Sequence, residues 1–180
     1  MKKATLFLIL QIFTISLFAQ INTDRVLAIG RNALYFEDYV LSIQYFNQVI
    51  KSKPWLAEPY FYRAVAKINL DDFKGAEEDC TLCLQRNPFL TQAYYARGIA
   101  RQSQEKYDEA IAFFDEAIEM NPSFAKAYSE RGRAKNLKGD KTGAFEDLKK
   151  SLELNPESEE AQKMNGQHSN FDDMYKGGIF

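Results

Sequence analysis

The sequence predicts an all-α fold made of stacked helix hairpins, and two observations carry that reading. Pro54, Pro88, Pro122 and Pro156 recur every 34 residues, with only Pro59 outside the series. Proline lacks a backbone N–H and disfavours helical geometry in its predecessor, so evenly spaced prolines mark evenly spaced helix ends. Second, other columns keep the same interval. Small residues align at Gly30, Ala64, Gly98 and Gly132, and again at Ser42, Ala76, Ala110 and Ala144. Large residues align at Val26, Tyr60, Tyr94 and Tyr128, and at Phe46, Cys80, Phe114 and Leu148. Small positions let two helices approach closely while large neighbours fill the space between them. Four copies of one helix pair are expected.

Asn87, Asn121 and Asn155 each precede a repeat proline, and Lys53 precedes the first. Ile50, Leu84, Ile118 and Leu152 form an aliphatic column, and Tyr39, Phe73 and Tyr107 an aromatic one that ends at Lys141. The segments Tyr94-Tyr-Ala-Arg-Gly-Ile-Ala, Tyr128-Ser-Glu-Arg-Gly-Arg-Ala and Tyr107-Asp-Glu-Ala-Ile-Ala-Phe-Phe resemble the tetratricopeptide repeat, a 34-residue helix–turn–helix unit. The resemblance implies a right-handed α-α superhelical solenoid of four such hairpins with a short C-terminal capping helix. One column departs from the family pattern. Ala33, Lys67, Arg101 and Lys135 stand where the family usually has a large apolar residue.

Taken in order, residues 1–19 read as a signal peptide. Lys2 and Lys3 precede an apolar run from Leu6 to Phe18, and Ala19 offers a small residue for cleavage. The expected location is therefore secreted or periplasmic, with no membrane span left after cleavage. Four repeats follow at 23–56, 57–90, 91–124 and 125–158. Their first helices are expected over Thr23–Phe36, Ala57–Leu70, Thr91–Gln104 and Ala125–Lys138. Their second helices are expected over Asp38–Ser52, Asp72–Arg86, Lys106–Met120 and Asp140–Leu154. Asp38, Asp72 and Asp140 stand at the turns, where a carboxylate caps free N–H groups at a helix start. After Pro156 the pattern decays into a polar capping helix (Glu159–Gln167) and a loose tail. A polar last helix is the usual cover for the open end of a stack.

The charge balance argues against nucleic acid as partner. The chain has 23 basic and 25 acidic side chains, and loss of Lys2 and Lys3 would take its net charge from −2 to −4. Cys80 and Cys83 form a C-x-x-C, but they occupy columns filled elsewhere by Phe46 and Phe114 or by Val49 and Ala117. Mid-helix positions do not lower a thiol pKa as a helix start does, so core packing outweighs a thiol redox role. His168 is the only histidine, and no metal-ligand set, nucleophile motif or phosphate loop accompanies it. No enzymatic activity and no cofactor is implied.

Arg63 with Lys67, Arg97 with Arg101, and Arg131 with Lys135 place like charges four apart on three first helices. Such pairs repel, so negative partners are expected from Glu78 and Asp79, Asp115 and Glu116, and Glu146 and Asp147. Internal pairing is one account; an acidic ligand across the first helices is the other.

The resemblance implies that first helices line a concave, peptide-receiving face. Carried over position by position, that face comprises Leu27, Arg31, Leu34 and Tyr35, then Phe61, Tyr62, Val65 and Asn69. Tyr95, Ile99 and Gln102 follow, with Ser129, Arg133 and Asn136 last. The family's lysine–asparagine–arginine clamp for a C-terminal carboxylate is not reproduced. The function this implies is an exported, non-catalytic scaffold holding a peptide or protein segment. A structural subunit of an envelope assembly is the competing class.

Overall fold

The computed structural model describes residues 22–156. The expected signal peptide, the polar helix after Pro156 and the tail lie outside these residues. Within them the chain forms eight helices and no strand. They are α1 (22–35), α2 (Tyr39–Ser52), α3 (Glu58–Asn69), α4 (Phe73–Arg86), α5 (Thr91–Ser103), α6 (Tyr107–Met120), α7 (Ala125–Lys138) and α8 (Lys141–Leu154). No described helix is long and apolar enough to cross a membrane.

Every hairpin turns the same way. Glu37, Asp71, Glu105 and Gly139, each 34 residues after the last, adopt positive φ between 60° and 96°. The next residue's N–H then reaches back to the last turn of the first helix: Asp38 to the Ala33 carbonyl at 2.8 Å, Asp72 to Lys67 at 2.9 Å, Lys106 to Arg101 at 3.0 Å and Asp140 to Lys135 at 2.9 Å. These bonds satisfy carbonyls that a helix end leaves open. Only the last copy uses glycine, which adopts this conformation without strain.

Three of the four second helices start on a side-chain cap. Asp38 accepts from the Leu41 N–H, Asp72 from Gly75 and Asp140 from Gly143. Lys106 makes no such bond, and α6 instead carries Asp108 and Glu109 in its first turn. At the other end, the asparagines ahead of the prolines stop the helix. Asn87 Oδ1 accepts from the Phe89 N–H and Asn121 Oδ1 from the Ser123 N–H, both at 3.1 Å. A side-chain turn of this kind replaces the helical bond that the proline removes.

The described residues divide into two compact units, with the boundary between Ala96 and Arg97. In the first, α1 meets α2 and α2 meets α3, which pairs with α4. Leu27, Phe46 and Val49 form one buried cluster; Tyr60, Cys83 and Ala93 form another. In the second unit, α6 packs on α7 and α7 on α8. The small columns explain the close approach. A Cβ on Gly30 would lie 2.7 Å from Phe46 Cε1, and one on Gly98 would lie 2.5 Å from Phe114 Cε1. Repeat two carries Ala64 in that column and Cys80 in the facing one, both fully buried. A larger residue on one helix is matched by a smaller one on the other.

Candidate functional site

Two of the three like-charged pairs on the first helices are centred on buried carboxylates. In repeat two, Arg63 donates to Asp79 through Nε at 2.7 Å and Nη2 at 2.5 Å, and Lys67 Nζ lies 2.9 Å from the same carboxylate. Repeat four copies this: Arg131 reaches Asp147 at 2.8 and 2.5 Å, with Lys135 Nζ at 2.7 Å. Asp79 is 1% and Asp147 4% exposed, so each carboxylate meets two cationic side chains rather than water. Burial works against the Arg131 charge, but hydrogen bonds to Asp147 and then Asp115 outweigh it and raise its pKa. The arginines also tie successive hairpins together. Arg63 Nη1 donates to Asn47 and Arg131 Nη1 to Asp115, both at 2.5 Å.

Repeat three departs from the expected pairing. Phe113 stands at the Asp79 and Asp147 position, and Arg97 lies over its ring, 4.3 Å from the centroid. Asp115, expected beside Arg97 and Arg101, instead serves Arg131, while Arg101 meets Glu109 at 3.1 Å. Repeat one has Ile29, Ala33 and Tyr45 at the three positions and needs no ion pair. Internal pairing thus accounts for the charges in repeats two and four.

Among the first-helix residues of the first unit, Tyr62 has the densest aromatic and cationic surroundings. Its ring stacks on Phe46 at 5.7 Å, lies 5.2 Å from Phe61, and has the Arg31 guanidinium 5.9 Å from its centroid. Arg31 also meets Glu58 at 3.1 Å, and its pKa is raised, first by the Tyr62 hydroxyl. Phe61, Tyr62, Val65 and Tyr95 are half-buried; Arg31, Tyr35 and Asn69 are exposed, and Asn69 donates to the Val65 carbonyl at 2.8 Å. Leu27 does not belong to this face. It is 8% exposed in the cluster with Phe46 and Val49, because its helical direction points at α2.

In the second unit, Gln102 Nε2 donates to Glu130 at 3.0 Å, and Arg133 meets the other oxygen of Glu130 at 3.4 Å. Ile99 is half-buried and Asn136 exposed, whereas Ser129 is buried at 4% exposure and drops out. Glu130 was missed at the level of sequence. It stands 68 residues after Tyr62, in the same column, so the signal was the column itself.

Cys80 and Cys83 form no disulfide and have no exposed surface. Burial pushes the Cys83 pKa up to about 11. That is the opposite of what a reactive thiolate needs. Among the described residues no group of histidines, cysteines and carboxylates is placed to hold a metal ion.

A chain of helix hairpins repeating in fixed register, with polar and aromatic side chains along the first helices, defines a protein-interaction scaffold. The tetratricopeptide-repeat pattern matches residues 91–124 and again residues 125–158. Residues 91–158 thus carry two tetratricopeptide repeats in tandem. Solved structures agree on the fold. The crystal structure of MamA has a TM-score of 0.68 at 25% identity, covering 74% of this chain and 78% of that one. The Arabidopsis OM64 TPR domain has a TM-score of 0.62 at 27% identity, covering 64% and 95%. The first TPR of Spaghetti (RPAP3), bound to the HSP90 peptide SRMEEVD, has a TM-score of 0.63 at 25% identity, covering 65% and 93%. No curated protein matches in sequence.

Proposed function

We propose that this protein is an exported scaffold that holds a peptide or protein segment against its first helices and catalyses nothing itself. The observation that carries the reading is the Tyr62 cluster: a half-buried ring held between Phe46 and Phe61, with an exposed cation beside it. Aromatics fixed in this way lose little freedom on binding and often supply most of an interface's energy. Arg31 beside the ring and the Gln102–Glu130–Arg133 chain in the second unit add polar partners for a backbone or side chain. The Spaghetti structure, which carries a peptide, supports this mode of use.

The alternatives have less behind them. A redox role for Cys80 and Cys83 meets full burial and a raised thiol pKa. An envelope-assembly subunit would use the second helices as well, where the exposed side chains of α6 and α8 are mostly charged, with Met120 and Phe145 the exposed large apolar ones. Export rests on the Lys2–Ala19 pattern. Purification of partners from envelope extract with wild type and with Tyr62→Ala plus Tyr95→Ala tests the proposal. Loss of at least one partner from the double variant is expected. Identical recovery would remove the assignment.

A further inference from the structure

Repeat one lacks a side chain that the other three repeats have. Tyr60, Tyr94 and Tyr128 share a column, and Val26 is its first member. In repeat two the slot is full. Tyr60 is 4% exposed, packs with Cys83 and Ala93 against Ala57, Leu82 and Ile50, donates to the Pro54 carbonyl at 3.2 Å, and carries Arg86 over its ring at 4.2 Å.

In repeat one a cavity of about 240 Å³ lies at this position, lined by Asn22, Thr23, Val26, Gln48, Val49, Ser52 and Lys53. Five of these are register equivalents of the Tyr60 slot. Thr23 corresponds to Ala57, Val26 to Tyr60 itself, Gln48 to Leu82, Val49 to Cys83 and Ser52 to Arg86. Two shortenings, tyrosine to valine and arginine to serine, open the space. Its volume falls below the roughly 300–1,000 Å³ of small-molecule sites, which suits one inserted side chain.

We propose that this cavity is a socket for one aromatic side chain of a partner protein segment, docking on the end of α1 and α2. A tyrosine fills the same slot one repeat further on, which sets the chemistry: a flat apolar ring with one polar tip. The lining matches, with Val26 and Val49 for the ring and Gln48, Ser52 and Lys53 for the hydroxyl. The socket shares no lining residue with the Tyr62 face, although Val26 and Tyr62 pack against the same cluster of Leu27, Phe46 and Val49, so the Tyr62 double variant and the socket variants are read separately.

Amide chemical shifts followed on the processed protein test it, with p-cresol, N-acetyl-tyrosinamide and N-acetyl-leucinamide as probes. Shifts confined to Val26, Gln48, Val49 and Ser52 are expected with the two aromatic probes, with Kd on the order of millimolar. The leucine probe should bind at least tenfold more weakly. Val26→Tyr, which supplies the missing ring in cis, should abolish the response and raise the melting temperature. Ser52→Met, which copies Met120 of repeat three, should weaken binding and guards against a misfolded Val26→Tyr. No shift at these residues, equal binding of the leucine probe, or an unchanged response in both variants would overturn the proposal. So would a response that emerges only after Phe171, Tyr175 and Phe180 are changed to alanine, since the chain's own tail would then be the occupant.

Discussion

The Arg97 guanidinium rests on the Phe113 ring, 4.3 Å from its centroid, at the place where Arg63 and Arg131 meet a buried carboxylate. The same helix–helix contact is thus made as a cation–aromatic contact in repeat three and as an ion triad in repeats two and four. In repeat one the positions are held by Ile29, Ala33 and Tyr45. Each solution is internally matched, so changing one member alone should be costly.

Asp79→Asn leaves Arg63 and Lys67 facing each other without their shared counter-charge. Breaking a buried ion cluster from one side costs about 3 kcal/mol. Replacing all three residues with the repeat-one set, Arg63→Ile, Lys67→Ala and Asp79→Tyr, should recover most of that loss. Urea unfolding of the single and triple variants decides the matter, and equal losses would refute matched replacement.

Gly98 and Phe114 should couple strongly. A Cβ at Gly98 would sit 2.5 Å from Phe114 Cε1, so Gly98→Ala is expected to cost about 1–3 kcal/mol. Phe114→Cys alone should cost about 2–5 kcal/mol through the void it leaves. The double variant reproduces the Ala64 and Cys80 combination of repeat two. Its loss should fall short of the sum by about 1 kcal/mol or more in a double-mutant cycle.

Cys83 supplies a pH prediction. Its folded pKa of about 11 lies above the ordinary thiol value, so the thiol stays neutral in the fold while the unfolded chain ionises earlier. The unfolded state then binds fewer protons, and stability falls as pH rises from about 9 towards 11. Below that window the contribution is constant. Denaturation midpoints across the range should show this alkaline loss in wild type and a smaller one in Cys83→Ala. Labelling of both thiols in the folded protein should be slow at neutral pH.

The α6 start is the weak cap of the set. Lys106→Asp restores the carboxylate found at Asp38, Asp72 and Asp140 and should add about 1 kcal/mol. Asp72→Ala should remove a similar amount. Opposite signs in thermal melts are the expected result.

Much of the fold was legible because the repeat is written in residues with hard steric consequences. Proline ends a helix wherever it falls, and glycine opposite phenylalanine marks a close approach. The face was less legible. Leu27 and Arg31 lie one turn apart on α1, and a small rotation of the helix decides which of them meets α2; that rotation is set by packing on Phe46 and Val49. Glu130 escaped notice because it replaces an aromatic residue, Tyr62, with a charged one. The Arg97–Phe113 contact was hidden for a similar reason, since an arginine suggests a carboxylate partner and the ring is a chemical substitute for one.

The claim that recognition runs along the first helices is met most directly by site-specific photocrosslinking in the native extract. A photoreactive side chain at Tyr62 should capture a partner, and one at exposed Lys149 on α8 should not. Equal capture from Lys149, or none from Tyr62, would contradict the account.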